Sequence, residues 1–182
     1  MTEIEKEKII LEIGYISVSF SYFDFLINQL NIILINSSYS KIGEILSNEL
    51  QTYARIKLCK KLLNVFPLKE ALVEKVLLNL DTFETMREKR NKFIHGILHT
   101  KSEDDLVSDD LYLLSLKDLL KDMPAVKVEL AELTKIKTTL ENLAKEQIEL
   151  NEDINTNYSQ IILDDIKQKE KMLDVFRNID SV

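Results

Sequence analysis

Apolar residues recur every three or four positions through most of this chain. Ile9, Ile13, Ile16, Phe20, Phe23, Ile27, Leu30 and Leu34 advance by alternating steps of four and three. That is the heptad seam by which a helix packs along its whole length, and it predicts a first helix from about Glu3 to about Asn36. A second apolar line, Leu11, Val18, Phe25 and Ile32, lies on the far side of the same helix. Two apolar faces imply two packing partners, the domain's own core and a second subunit. A polar strip of Ser17, Asp24 and Asn31 runs between them, with Ser21 and Asn28 beside it.

The cluster Asn36-Ser37-Ser38-Tyr39-Ser40 reads as a loop with capping residues. A second helix is predicted from Lys41 to Phe66, stopping at Pro67. A third begins near Pro67 and runs to about His95, with Gly96 as a left-handed C-terminal cap. It carries two lines. Leu72, Val76, Asn79, Phe83, Met86, Arg90 and Phe93 form one; Val73, Leu77, Leu80, Glu84, Arg87, Asn91 and Ile94 form the other. Both start apolar and turn polar in the last three turns. Charge on a packing seam is costly unless it is paired or wetted, so either this end meets solvent or a cleft opens there.

Beyond Gly96 the pattern is irregular. Lys101–Asp105 and Ser108–Asp110 are acidic and turn-like, while Ile97-Leu98-His99 and Leu111–Leu114 fit a short hairpin. A fourth helix follows Pro124, with Val126, Leu133, Ile136, Leu140, Leu143, Leu150 and Ile154 on its seam. A break is predicted at Asn151–Asn157, then a final helix from about Ser159 to Asn178 that carries Ile162, Ile166, Leu173 and Phe176. There is no internal repeat and no linker long enough to separate two domains. The expectation is an all-α, up-down helical bundle with a short irregular or hairpin insert after the third helix and an additional C-terminal helix. It is one domain over residues 1–182, with its core at about 1–155 and the last helix at about 159–178.

Composition sharpens this picture. Three glycines, two prolines and no tryptophan among 182 residues suit a helical protein. The single cysteine, Cys59, excludes an intrachain disulfide framework and points to a reducing, cytoplasmic setting. The acidic, mixed N-terminal segment is not a signal-peptide pattern. Ile9–Ile35 is oily but carries Glu12, Asp24, Asn28, Gln29 and Asn31, so it reads as a bundle helix, with no stretch long enough to span a membrane. A net charge of −7 argues against broad nucleic-acid binding but leaves room for a small cationic cleft.

Candidate chemistry concentrates in Arg90-Asn91-Lys92-Phe93-Ile94-His95-Gly96. A cation and a titratable imidazole held close together can cleave a phosphodiester without a metal. Arg90 and His95 are five apart, roughly 140° around a helix axis, so one ideal helix points them to different sides. Two such helices meeting across a two-fold axis can supply both groups to one groove. Asn91 shares the face of His95 and can orient it. Plainer roles stay open: His95 as a cation at a helix C-terminus, and Arg90 in a half-buried ion pair with Asp24. Asp24 pairing with Arg90 or Arg87 is the matching expectation. His95 and His99 are four apart, but Gly96 is expected to end the helix between them and no further ligand completes a metal set. Cys59 sits beside Lys60 and Lys61, where a lowered thiol pKa and a packing role are alternatives, packing the favoured one. Neither a glycine-rich phosphate loop nor a Gly-x-Ser-x-Gly elbow occurs. No cofactor and no metal are expected.

The seven-residue segment resembles the signature of the HEPN superfamily (higher eukaryotes and prokaryotes nucleotide-binding). Its motif is an arginine, often followed by a polar residue, then a histidine after four to six positions. Arg90, Asn91 and His95 fit it with four residues between arginine and histidine. The resemblance implies an α-helical bundle, usually dimeric, with the motif near a helix end at the subunit interface. It also implies a metal-independent endoribonuclease in many members, and binding modules without catalysis in others. By that resemblance His95 is the general acid or base, Arg90 stabilises the phosphate, Asn91 holds the histidine or the phosphate, and Arg87 adds a second cation. RNA is then the substrate, because the reaction needs a 2′-hydroxyl. A toxin or phage-defence role is implied, with an antitoxin or defence-system partner protein. One toxin branch carries a tyrosine two positions after the histidine, as the target of a partner nucleotidyltransferase. Ile97 stands there instead, which puts that route of control in doubt.

Overall fold

The computed structural model describes residues 2–35, 40–100, 111–115 and 126–179, and the side-chain surroundings of residues 2, 4–35, 43–94 and 127–161. It is an all-α helical bundle carrying a small sheet as an insert. Among the described residues the elements are α1 (Glu3–Ile35), α2 (Ser40–Asn48), α3 (Thr52–Leu63), α4 (Glu70–His95), β1 (Gly96–Thr100), β2 (Leu111–Ser115), β3 (Val126–Lys127) and α5 (Leu130–Ile179). The expected hairpin is present. β1 pairs antiparallel with β2, placing Ile97 opposite Leu114 and His99 opposite Tyr112, and β3 adds to the other edge of β2.

The chain forms two compact units, and α1, α4 and α5 each contribute to both. Unit 1 comprises Met1–Phe25 and Leu78–Glu146; unit 2 comprises Leu26–Leu77 and Gln147–Val182. In unit 1, α1 opens with a capping box. Thr2 N donates to Glu5 Oε2 at 2.7 Å, and Glu5 N donates to Thr2 Oγ1 at 3.2 Å. The backbone hydrogen bond from Thr2 holds the Glu5 carboxyl below its ordinary range. Ile9, Ile16, Phe20 and Phe23 are buried, as the heptad seam requires, together with Leu80, Phe83, Met86, Leu133, Ile136 and Leu140. Phe83 lies at the centre of this core. Its ring centroid is 4.5 Å from that of Phe20 and 4.4 Å from that of Phe23. Lys137 ties α5 to α1 through Glu12 at 3.1 Å.

In unit 2 the buried seam continues with Ile27, Leu30 and Leu34, and Ile56, Cys59 and Leu63 of α3 and Leu150 and Ile154 of α5 are buried as well. Phe66 meets Tyr158 edge-on at 5.0 Å. Amides are buried here as well. Asn28 Nδ2 donates to Asn48 Oδ1 (2.8 Å), Asn31 Nδ2 to the Arg55 carbonyl (3.1 Å), and Asn151 Nδ2 to the Leu26 carbonyl (3.0 Å).

Several boundaries differ from expectation, each for a physical reason. The single helix expected over Lys41–Phe66 is two helices, α2 and α3. Arg55 Nε donates to the Ser47 carbonyl at 3.0 Å and Nη2 to the Asn48 carbonyl at 3.3 Å. One guanidinium therefore bonds the last carbonyls of α2, of which that of Ser47 also accepts from Leu50 N at 3.3 Å. Pro67 does not start a helix: Leu68 N donates across it to the Phe66 carbonyl at 2.8 Å, and α4 begins at Glu70. Gly96 is not a left-handed cap but the first residue of β1, paired with Ser115. The break expected at Asn151–Asn157 is absent, and α5 runs unbroken through the helix expected at Ser159–Asn178. The polar side chains there bond inward or along the helix: Gln147 Nε2 to Asn151 Oδ1, Thr156 Oγ1 to the Glu152 carbonyl and Asn157 Nδ2 to the Asp153 carbonyl. Val126 lies in β3, ahead of the helical seam it was expected to start. By length and composition α1 is apolar enough to cross a membrane, with a mean hydropathy of 1.4 over an 18-residue window, which corrects the expectation that no stretch is; beyond Lys8 its only charged residues are Glu12 and Asp24. Of the expected Asn36–Ser40 loop, Ser40 is already the first residue of α2; its other residues, the acidic turns at 101–110 and the side chains of Ile162, Ile166, Leu173 and Phe176 lie outside the described residues.

Phe83→Ala should cost about 3–5 kcal/mol in chemical denaturation, since the two rings that stack on Phe83 lose their partner; a loss below about 1 kcal/mol would contradict that core. Arg55→Met should cost about 1–3 kcal/mol by removing the charged hydrogen bonds to the end of α2. Hydrogen exchange should then rise in α2 before it rises in α4; equal change in both would refute the capping role.

Candidate functional site

The motif-bearing helix is α4. Cations collect in its last turns, where the helix dipole favours them, and an acid, Glu70, opens its first turn. Arg90 belongs to the line of Phe83, Met86 and Phe93, all three buried. A bare guanidinium on that line would be costly. Arg90 is half-buried, and two neighbours accommodate it. Its guanidinium lies over the Phe20 ring, 5.0 Å from the centroid, within cation–π range. Its Nη1 donates to Asn91 Oδ1 at 3.1 Å. Phe20 in turn stacks on Phe83, so the α1–α4 aromatic core is the platform for the charge. Arg90 Nε is buried and makes no hydrogen bond.

The Asn91 oxygen holds Arg90, which leaves its amide donors as the part able to engage an imidazole. Arg87 stands one turn before Arg90 and is half-buried. Asp24 follows Phe23 on α1, also half-buried. Asp24 and Arg87 each make an interaction of their own. His95 is the last residue of α4, and its imidazole lies outside the described residues. His99 is in β1, so the two histidines do not share a helix. Among the described residues no three His, Cys, Asp or Glu side chains converge as a metal site.

Phe20 is the residue that sequence reasoning missed. In the α1 pattern it stands only as a core position. The signal was present in the two seams: Phe20 is in the α1 seam and Arg90 is in the α4 seam with Phe83, so facing seams bring ring and guanidinium together.

Cys59 is fully buried on α3. Loss of water around the thiolate pushes its pKa up to about 12, with Lys60 opposing weakly. It is a packing residue, not an activated thiol.

No family model, no curated protein and no solved structure matches the chain.

At pH 8 the native protein should leave Cys59 unmodified by a disulfide reagent and release one equivalent after unfolding. The sign of its pH effect follows from linkage. Below the ordinary thiol pKa of 9.0 the folded and unfolded thiols are both protonated and the stabilisation is fully present. Between 9.0 and about 12 only the unfolded thiol ionises, so this contribution is lost as pH rises. Denaturation midpoints from pH 8.5 upward should therefore fall faster for the parent than for Cys59→Val, and identical slopes would refute the assignment.

Proposed function

We propose that this chain is a metal-independent endoribonuclease of the HEPN type, acting in the cytoplasm as a toxin or phage-defence effector. Two copies contribute Arg90, Asn91 and His95 to one groove. What carries this reading is the pre-set guanidinium, held by Asn91 and the Phe20 ring on the helix that ends at His95. Arg90 keeps further N–H donors for a phosphate after its bond to Asn91. In the reaction, the imidazole of His95 takes the proton of a ribose 2′-hydroxyl, O2′ bonds to phosphorus and the P–O5′ bond breaks. The leaving oxygen takes a proton from the second copy's imidazole. Arg90 offsets the charge that builds on the phosphate oxygens. The products are a 2′,3′-cyclic phosphate and a 5′-hydroxyl.

A second reading is a helical module of the same kind that binds a nucleotide or a partner protein, such as an antitoxin, without catalysis. The net charge of −7 and the engagement of Arg90 within its own fold favour it. Purified protein incubated with total RNA and EDTA separates the two. The enzyme cuts despite the chelator and leaves cyclic phosphate ends. His95→Ala should lower that rate by about 10²–10⁴ with an unchanged circular dichroism spectrum. Arg90→Lys should lower it by at least about tenfold, since an ammonium cannot reproduce the planar fork. Parent-like cleavage by His95→Ala sinks the catalytic assignment, and no cleavage by the parent leaves the binding module.

A further inference from the structure

The outward face of α1 takes no part in the chemistry above. At about 100° per residue, Ile10, Phe25, Val18, Leu11, Tyr22 and Tyr15 follow one another across an arc of about 140°, and all of them are exposed. They span about 22 Å of helix length. Gly14 and Ser21 fill the rest of the arc, so it holds no charge between Ile10 and Phe25. Glu7 closes the strip toward the N-terminus, and Glu12 and Asp24 fall outside it. Of the 18-residue window that gives α1 its mean hydropathy of 1.4, only 28% is buried, so packing within the chain does not use most of it. The apolar side chains of the arc expose on the order of 600–700 Å², more than the roughly 300–600 Å² of the largest patch on a typical monomer. Polarity is graded across the arc. Phe25, Val18 and Leu11 hold its middle. The phenols of Tyr22 and Tyr15 come next on one side, and cations lie at that edge. Lys8 is about 20° beyond Tyr15, and Lys137 Nζ of α5 is 4.9 Å from the Tyr15 ring centroid.

We infer that this face docks on a zwitterionic phospholipid bilayer, with α1 lying in the plane of the surface. The gradient across the arc matches the depth profile of a bilayer. Aliphatic and phenyl groups enter below the headgroups, phenols sit at the boundary, and ammonium groups on long stems reach the phosphates. A protein interface ordinarily carries about one hydrogen bond per 100–200 Å². This face offers only the hydroxyls of Ser21, Tyr15 and Tyr22, and Ser21 Oγ already donates to the Ser17 carbonyl at 2.9 Å. The polarity left to it lies along one edge, as a lipid surface requires and a protein partner does not. The two-copy groove of the proposed function uses the other side of the helix: Phe20, whose ring carries Arg90, is about 150° around α1 from the middle of the arc. A net charge of −7 selects a zwitterionic surface over an anionic one. The inference does not depend on the nuclease reading, and its test reads lipid binding, so the two fail separately.

In a density gradient the full chain should float with phosphatidylcholine vesicles. Val18→Glu combined with Tyr22→Glu should stay at the bottom with an unchanged circular dichroism spectrum, because both side chains are exposed. Gly14 lies within the arc and has open space where a side chain would stand. Gly14→Leu should therefore lower the lipid concentration for half-binding by at least about threefold, since it adds apolar area to the strip without touching the core. The chain has no tryptophan, so Val18→Trp places a single indole at the middle of the arc. Its emission should move to the blue on adding vesicles and be quenched by brominated acyl chains. A parent that does not float, a double variant that floats like the parent, a Gly14→Leu protein that binds no tighter, or an indole that ignores the vesicles overturns the proposal. Tighter binding to vesicles that contain phosphatidylglycerol overturns the zwitterionic assignment. A parent that stays at the bottom while the double variant lowers its mass in solution assigns the face to a protein contact and overturns the docking.

Discussion

The Phe83 ring, stacked on Phe20 and Phe23, is the contact on which unit 1 depends. It joins α1 to α4 inside the core, and the outer ring of the group, Phe20, faces a guanidinium. Core and candidate site are therefore one object. Moving Phe83 would move the platform under Arg90, and moving Arg90 would leave a charge on an apolar line. This coupling explains how an arginine persists in register with buried phenylalanines. An aromatic face and one amide oxygen replace part of the hydration that burial removes.

Unit 2 is held by a different chemistry. Asn28, Asn31 and Asn151 place amide donors on defined acceptors, two of them main-chain carbonyls. Each bond contributes only about 0.5–1.5 kcal/mol net, but a mispaired buried amide costs about 1–3 kcal/mol. The larger number governs: sliding α1 by one turn would break its bonds to α2, α3 and α5 together. The amides set which residues face each other, and the surrounding leucines and isoleucines supply the driving force. Arg55 extends the same logic, since its own carbonyl receives Asn31 while its side chain ends α2.

What the sequence disclosed follows from the range of the forces involved. The α1 seam was legible from Ile9 to Leu34 because eight apolar side chains repeat at one spacing and nearly all are buried. The β1–β2 hairpin was legible because two short apolar runs flank an acidic turn. The gap between α2 and α3 was not, since Glu49-Leu50-Gln51 contains neither glycine nor proline. Its cause is a guanidinium that reaches back to Ser47 and Asn48. The reverse error occurred in α5. Asn151-Glu152-Asp153-Ile154-Asn155-Thr156-Asn157 looks like a breaker by composition, yet its polar groups bond along the helix or to the Leu26 carbonyl. Thr2 and Glu5 form a capping pattern local enough to be legible in the sequence. At the site, the motif residues were visible as spacing. The role of Phe20 depends on two helices meeting, which no single window of sequence contains.

The passage from α4 to β1 has no spacer: His95 ends the helix and Gly96 is already bonded into a strand ladder opposite Ser115. Terminal helical turns ordinarily unravel on fast timescales, and a residue placed there samples many backbone states. Here the main chain at position 95 is clamped from both directions. That arrangement trims the torsional freedom of the segment before any ligand arrives, so less ordering entropy is left to lose when one does.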